Sequence, residues 1–258
     1  MGALAVKIIP SRRDNYIYAL HNTAGECVII DPGEATPVLE FLKAEGLTLS
    51  AIAITHHHYD HIDGTPEILA HYPVSVYGFA GDAYRIPFLS QPLHDGETVT
   101  LLGEIASVRH IPGHTLGHIF YHLPQNNMAF VGDTLFAMGC GRLFEGDAAS
   151  MYSSLQMIAR LPKTTQLYCG HEYTLANAAF AQAAEPSNPF ITERIHKVAQ
   201  LREAGTPSLP TNLADELCSN PFLRCNSIEI RQFVEMGDNA GEIDVFAALR
   251  SKKDTWST

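Results

Sequence analysis

Short apolar runs alternate with helical stripes along the first two-thirds of this chain, and turn-forming residues separate them. Runs of period two or of continuous apolar character predict strands over residues 5–9, 16–20, 27–30, 51–55, 74–77, 99–102, 105–111, 118–122, 128–131 and 166–169. Stripes of helical period predict helices over 37–45, 65–71 and 150–160. Interleaved signals of this kind argue for an α/β fold in which helices cover sheets. No internal repeat or low-complexity tract interrupts the pattern.

The texture changes after Tyr173. Ser187-Asn188-Pro189 places a capping residue before a proline, the usual start of a helix. Ile191, Ile195, Val198 and Leu201 then form a helical stripe, with Glu193, Arg194, Lys197 and Arg202 mostly off it and Gly205 as the stop. A proline-rich loop spans 206–210, and a last helix over 242–252 is expected to bury Ile243, Phe246 and Leu249. Residues 172–258 therefore read as a small α-helical domain, and 1–171 as the α/β domain.

Candidate chemistry sits where the apolar runs stop. The run over 49–54 opens into Thr55-His56-His57-His58-Tyr59-Asp60-His61. In extended backbone alternate side chains share a face, so His56 and His58 can converge on one ion, while Asp60 and His61 lie one turn further on. Three further runs end alike, on Pro112-Gly113-His114, Gly132-Asp133 and Gly170-His171. Ligands on several strand-end loops are what a metal site at one edge of an α/β scaffold requires. Two coordination sets follow: His56, His58 and His114 for one ion, and Asp60, His61 and His171 for the other, with Asp133 bridging. Imidazole with carboxylate suits Zn²⁺, and Fe or Mn tolerate the same donors. A bridging position left open to water argues for catalysis over a closed structural site. His57, His110 and His118 are read as supporting or packing residues, and Asp31 as an acceptor for a ligating imidazole.

With His114, Asp133 and His171 downstream, the run His56-x-His58-x-Asp60-His61 resembles the metallo-β-lactamase superfamily. Gly139-Cys140-Gly141-Arg142, Gly170-His171-Glu172-Tyr173-Thr174 and Asn220-Pro221-Phe222-Leu223-Arg224 make the chain similar to its glyoxalase II branch, the hydroxyacylglutathione hydrolases. The resemblance implies an αββα sandwich followed by a small all-α C-terminal domain. It implies hydrolysis of S-D-lactoylglutathione to D-lactate and glutathione, in methylglyoxal detoxification, by a hydroxide held between two divalent ions. Asp60 and Asp133 would orient that hydroxide. The thiolate leaves without strong acid catalysis, because a cysteine-like thiol has a pKa of only about 8.5. Arg250 and Lys253, three apart on one helix face, match the pair that binds the glycine carboxylate of glutathione in this family. Alone, such a pair would read as a solvated helix end. Tyr173 matches a tyrosine that reaches the glutathione backbone, and Arg142 a basic position. Phe144 stands where relatives have tyrosine, so it is taken only as a wall of the substrate pocket. A single-iron glutathione-persulfide dioxygenase of the same superfamily is the competing reading, and the helical C-terminal region argues against it.

Composition narrows the partners. A formal net charge of −11 over 258 residues disfavours nucleic acid. No run approaches the ~18 apolar residues of a membrane span, and the first ten residues are too short and polar for an export signal. The five cysteines (Cys27, Cys140, Cys169, Cys218, Cys225) are odd in number and contain no Cys-x-x-Cys pair. They read as reduced thiols of a cytoplasmic protein. A monomer acting on a small glutathione thioester is the expectation.

Overall fold

The computed structural model describes residues 4–256, so the outermost limits of the expected domains, at residues 1 and 258, lie outside the described residues. Two compact units emerge, Met1–His110 with Gly117–Gly132, and Ile111–Leu116 with Asp133–Thr258. The loop bearing His114 and everything from Asp133 onward belong to the second unit.

The first unit begins with β1 (Ala5–Ser11), β2 (Asn15–His21), β3 (Glu26–Ile30), α1 (Thr36–Glu45) and β4 (Thr48–Ala53). It continues with α2 (Tyr59–Ile62), α3 (Thr65–His71), β5 (Ser75–Phe79) and β6 (Gln91–Leu93). These strands form one mixed sheet in the order β1-β2-β3-β4-β5-β6. β1, β2 and β3 pair antiparallel, and β3 through β6 pair parallel. The continuous apolar runs of β2 and β3 are buried on both faces, which is why they do not alternate. β1 alternates, and its Pro10 sits on an edge strand, where a missing amide proton costs no ladder bond. α1 begins with a proline in its first turn and stops at Gly46 in the left-handed conformation. Its Val38 and Leu42, with Ile68 of α3, pack on Ile17, Ile29, Ile52 and Val76 to form the core.

β7 (Thr98–Leu101), β8 (Glu104–His110), β9 (Ile119–Leu123) and β10 (Met128–Gly132) complete this unit as an antiparallel run in the order β10-β9-β8-β7. Tyr121 of β9 donates to the Ile54 carbonyl at 2.9 Å, and Tyr18 packs its ring against Phe130 at 5.8 Å. Those contacts join the two sheets face to face.

The second unit contains two small strand pairs, β11 (Leu135–Phe136) with β12 (Gly139–Cys140), and β13 (Gln166–Cys169) with β14 (Thr211–Asn212). The rest is helical: α4 (Ala148–Ala159), α5 (Thr174–Ala184), α6 (Pro189–Glu203), α7 (Leu213–Ser219), α8 (Ile228–Phe233) and α9 (Glu242–Asp254). α6 starts where expected, with Asn188 accepting from the Phe190 amide at 3.1 Å. α9 buries Phe246 and Leu249 as its stripe predicts, but Ile243 is 44% exposed and Val245 is buried instead. Residues 242–244 thus lie outside the packed stretch. Arg194 of α6 lies off the apolar stripe yet turns inward to the fully buried carboxylate of Glu216, which also accepts from Thr211 and Asn220.

Candidate metal centre

The first unit carries four of the expected ligands. After β4 the chain stays buried through Ile54 and Thr55, and Thr55 is the pivot. Its amide donates to Asp31 Oδ1 at 2.7 Å and its hydroxyl to Asp31 Oδ2 at 2.6 Å. With its proton committed to Asp31, Thr55 Oγ1 accepts from His56 Nδ1 at 3.0 Å. That assigns the His56 proton to Nδ1 and leaves a lone pair on Nε2. His56 Nε2 lies 3.2 Å from His58 Nδ1, so these two rings converge as the alternation of side chains predicts.

Asp60 and His61 ride on the single turn of α2. His61 Nδ1 meets Asp31 Oδ2 at 3.1 Å, which again turns the Nε2 lone pair outward, here toward Asp60 Oδ2 at 3.7 Å. Asn15 donates to the same Asp60 oxygen at 2.9 Å and fixes the carboxylate. Asp31 thus meets His61 directly and His56 through Thr55, from a backbone φ of 53°. The ligand atoms of Asp31, His56 and His61 all fall within 4.8 Å of one another. His118 stacks on His56 with centroids 4.6 Å apart.

The second unit carries the other three. His171 Nε2 lies 3.2 Å and His114 Nε2 3.6 Å from Asp133 Oδ2. His114 Nδ1 donates to the Arg142 carbonyl at 2.9 Å, so its Nε2 also presents a lone pair. Gly141 makes this approach possible, since a Cβ there would stand 2.0 Å from the Asp133 carbonyl oxygen and 3.0 Å from His114 Nδ1. Each unit thus presents imidazoles whose Nδ1 is engaged and whose Nε2 is left as an acceptor, with a carboxylate close by, and donors of that kind suit divalent cations.

The expected substrate contacts all lie in the second unit. Tyr173 stacks on His171, ring centroids 4.7 Å apart and nearly coplanar, with Phe136 against both rings. Phe144 is 62% exposed and sets its edge against His114. The Arg142 side chain is exposed while its carbonyl holds His114. Arg250 differs from a free surface cation. It is buried, donates to the Cys140 carbonyl at 2.8 Å and to Asp254 at 3.0 Å, and lies over the Phe222 ring. Lys253 is half-buried, donates to the Ala176 carbonyl at 3.1 Å and lies over Phe180. Burial first, then the nearby Arg250 and Arg142 charges, lower its pKa to about 8. Sequence reasoning gives Thr55 and Asn15 no role, although Thr55 stands directly before the first ligand.

Residues 12–171 match the model of the metallo-beta-lactamase superfamily, and residues 172–256 match that of the hydroxyacylglutathione hydrolase C-terminus. A hydroxyacylglutathione hydrolase of Photobacterium profundum is 46% identical over 98% of this chain and 100% of the relative. The chain belongs to the hydroxyacylglutathione hydrolase family. Its fold is that of the metallo-β-lactamases, with a helical C-terminal region. Among solved structures, the BLEG-1 B3 metallo-beta-lactamase superposes with a TM-score of 0.66 at 26% identity, over 85% of this chain and all of that one. ETHE1 from Myxococcus xanthus gives 0.66 at 24% identity, over 97% of this chain and 98% of that one. At that identity the likeness concerns the fold alone. The match to the family's own C-terminal model separates this chain from the wider superfamily.

Proposed function

We propose that the protein hydrolyses S-D-lactoylglutathione to D-lactate and glutathione, the second step of methylglyoxal detoxification. The observation that carries this reading is the match of residues 172–256 to the hydroxyacylglutathione hydrolase C-terminus, the stretch that holds Tyr173, Arg250 and Lys253. In this reading His56, His58 and His114 hold one divalent ion, Asp60, His61 and His171 hold a second, and Asp133 serves both. Zn²⁺ suits these donors best, with Fe or Mn as workable substitutes. When bound, such ions supply Lewis acidity and bring the pKa of water down toward neutrality.

The chain's own groups do the rest. Asp31 and Thr55 keep the protons of His61 and His56 on Nδ1, so that Nε2 is the nitrogen each ring would offer to an ion. Asn15 holds the Asp60 carboxylate in one orientation, available to accept a proton from attacking water. Breaking the C–S bond releases a thiolate, which needs no strong acid partner. Arg142, Tyr173, Arg250 and Lys253 would hold the glutathione part, with Phe144 flanking the acyl end beside His114. We place the enzyme in the cytoplasm as a monomer; all five cysteines are free thiols, and among the described residues no helix is long and apolar enough to cross a membrane.

Metal analysis of the purified protein, paired with hydrolysis of lactoylglutathione and of a thioester lacking glutathione, tests the reading. Two equivalents of metal and a strong preference for lactoylglutathione are expected. Equal rates on both thioesters would remove the role given to Arg250 and Lys253. Oxygen uptake with glutathione persulfide, without thioester hydrolysis, would replace the reading by the dioxygenase one.

A further inference from the structure

His57 is the conspicuous residue of the histidine run that neither ion set uses. Its ring nitrogen Nδ1 lies 3.2 Å from Asp82 Oδ2. Asp82 is almost fully buried, at 4% exposure, in the 3₁₀ turn Ala80–Asp82 that follows β5. Its carbonyl accepts from the Arg85 and Ile86 amides at 2.8 and 3.0 Å, so its backbone is fixed. Arg85 Nη1 lies 3.4 and 3.2 Å from the two His57 ring nitrogens, equally near both, so it rests against the ring as a whole. The same carboxylate abuts Gly117, where a Cβ would stand 2.1 Å from Asp82 Oδ2. Gly117 precedes His118, whose ring stacks on His56. One buried carboxylate therefore bonds His57 and packs against the backbone that leads to His118.

We propose that Asp82 is a positioning residue for the metal ligands and acts through His57, an inference that rests on the metal-site reading above. The physical reason is ring contact. The His57 ring meets the His58 ring edge-on, centroids 5.1 Å apart, so anchoring His57 limits where the His58 ring can swing. Without the anchor His58 can turn away, and the 3.2 Å convergence of His56 Nε2 on His58 Nδ1 is lost. Arg85 offsets the charge of Asp82, with Nη1 3.9 Å from Oδ1, which lets the carboxylate stay buried.

The test uses zinc and cobalt as probes on the full chain. Zinc affinity is measured by chelator competition, and the visible spectrum is recorded for the cobalt-loaded protein. Asp82→Ala and His57→Ala should each weaken zinc binding about tenfold, in the range seen for supports of metal ligands, and should alter the cobalt spectrum. The double variant should lose no more than either single one, because the two act as a unit. His57→Asn, whose amide nitrogen stands where Nδ1 was, should recover most of the affinity. Unchanged affinity and spectrum in Asp82→Ala, or additive losses in the double variant, would overturn the proposal. If Asp82→Ala does not fold, His57→Ala, which removes the other partner of the same bond, is read by the same criteria, with wild-type affinity and spectrum again overturning the idea. A wild-type chain that binds no zinc would strike down the metal reading itself.

Discussion

A hydroxyl decides the state of a metal-site imidazole. Thr55 Oγ1 gives its proton to Asp31 and takes one from His56, so one atom sets the tautomer of a ligand and ties it to a buried acid. Thr55→Val keeps the shape and removes both bonds. It should lower the unfolding free energy of metal-free protein by about 1–3 kcal/mol, since it leaves polar groups on Asp31 and His56 unmet. Urea denaturation of the two proteins measures this, and Thr55→Ser should restore most of the loss. Equal midpoints for Thr55→Val and the wild type would mean that the Thr55–Asp31 bond contributes nothing net. A second residue-scale prediction follows from Lys253, whose pKa burial and neighbouring arginines lower to about 8. The ammonium is intact below that pH and is lost as pH rises through it. If it binds a substrate carboxylate, KM for lactoylglutathione should climb above pH 8 while kcat changes less. In Lys253→Arg, whose side chain stays charged, that limb should vanish; a KM that is flat from about pH 7 to about pH 9 in the wild type refutes the contact.

Elements take their positions from a few end residues as much as from their stripes. Asn188 caps α6 through its Oδ1 and, through its Nδ2, donates to the Cys218 carbonyl at the close of α7 at 2.9 Å. Asn188→Ala removes both and should cost about 1–2 kcal/mol in thermal or urea unfolding; an unchanged melting temperature would show that neither bond matters. This helix start is legible because Asn-Pro before an apolar stripe is a local signal. So are the longer strands up to β13, where apolar runs of the right length end on turn-forming residues. α5 is not legible, because Thr174–Ala184 is dominated by small alanines and shows no stripe of large apolar residues. α8, at 6 residues, is too short for a period to register, and β11, β12 and β14 are two-residue strands. The metal ligands stand out because one chemistry repeats at successive strand ends. Their supports do not: Asn15 is 45 residues from Asp60, and Asp82 is 25 residues from His57. Nothing local marks such pairs. Arg250 is legible as a cation, but its burial against Cys140, 110 residues away, is not.

At the scale of the whole molecule, metal and fold are coupled. The seven proposed ligands are spread from His56 to His171, so an unfolded chain cannot gather them. Ions that bind only the folded chain stabilise it by mass action, about 2.7 kcal/mol per site when the free ion stands at about 100 times its dissociation constant. Binding also requires a free ring nitrogen on each imidazole, and Asp31, Thr55 and the Arg142 carbonyl already engage Nδ1 of three of the rings and leave Nε2 for an ion. Removing metal with a chelator should therefore lower the melting temperature by several degrees without erasing the folding transition, because the cores of β-sheet and helix are built from apolar contacts that need no ion. Returning zinc should restore the original value, and the melting temperature should keep rising with the logarithm of free zinc once the sites are saturated. The two arms separate cleanly in calorimetry. A transition that is identical in excess chelator and in excess zinc would show that the folded chain holds no ion. A transition abolished by chelator would show instead that the metal is a condition of folding, and that the apolar cores do not suffice alone.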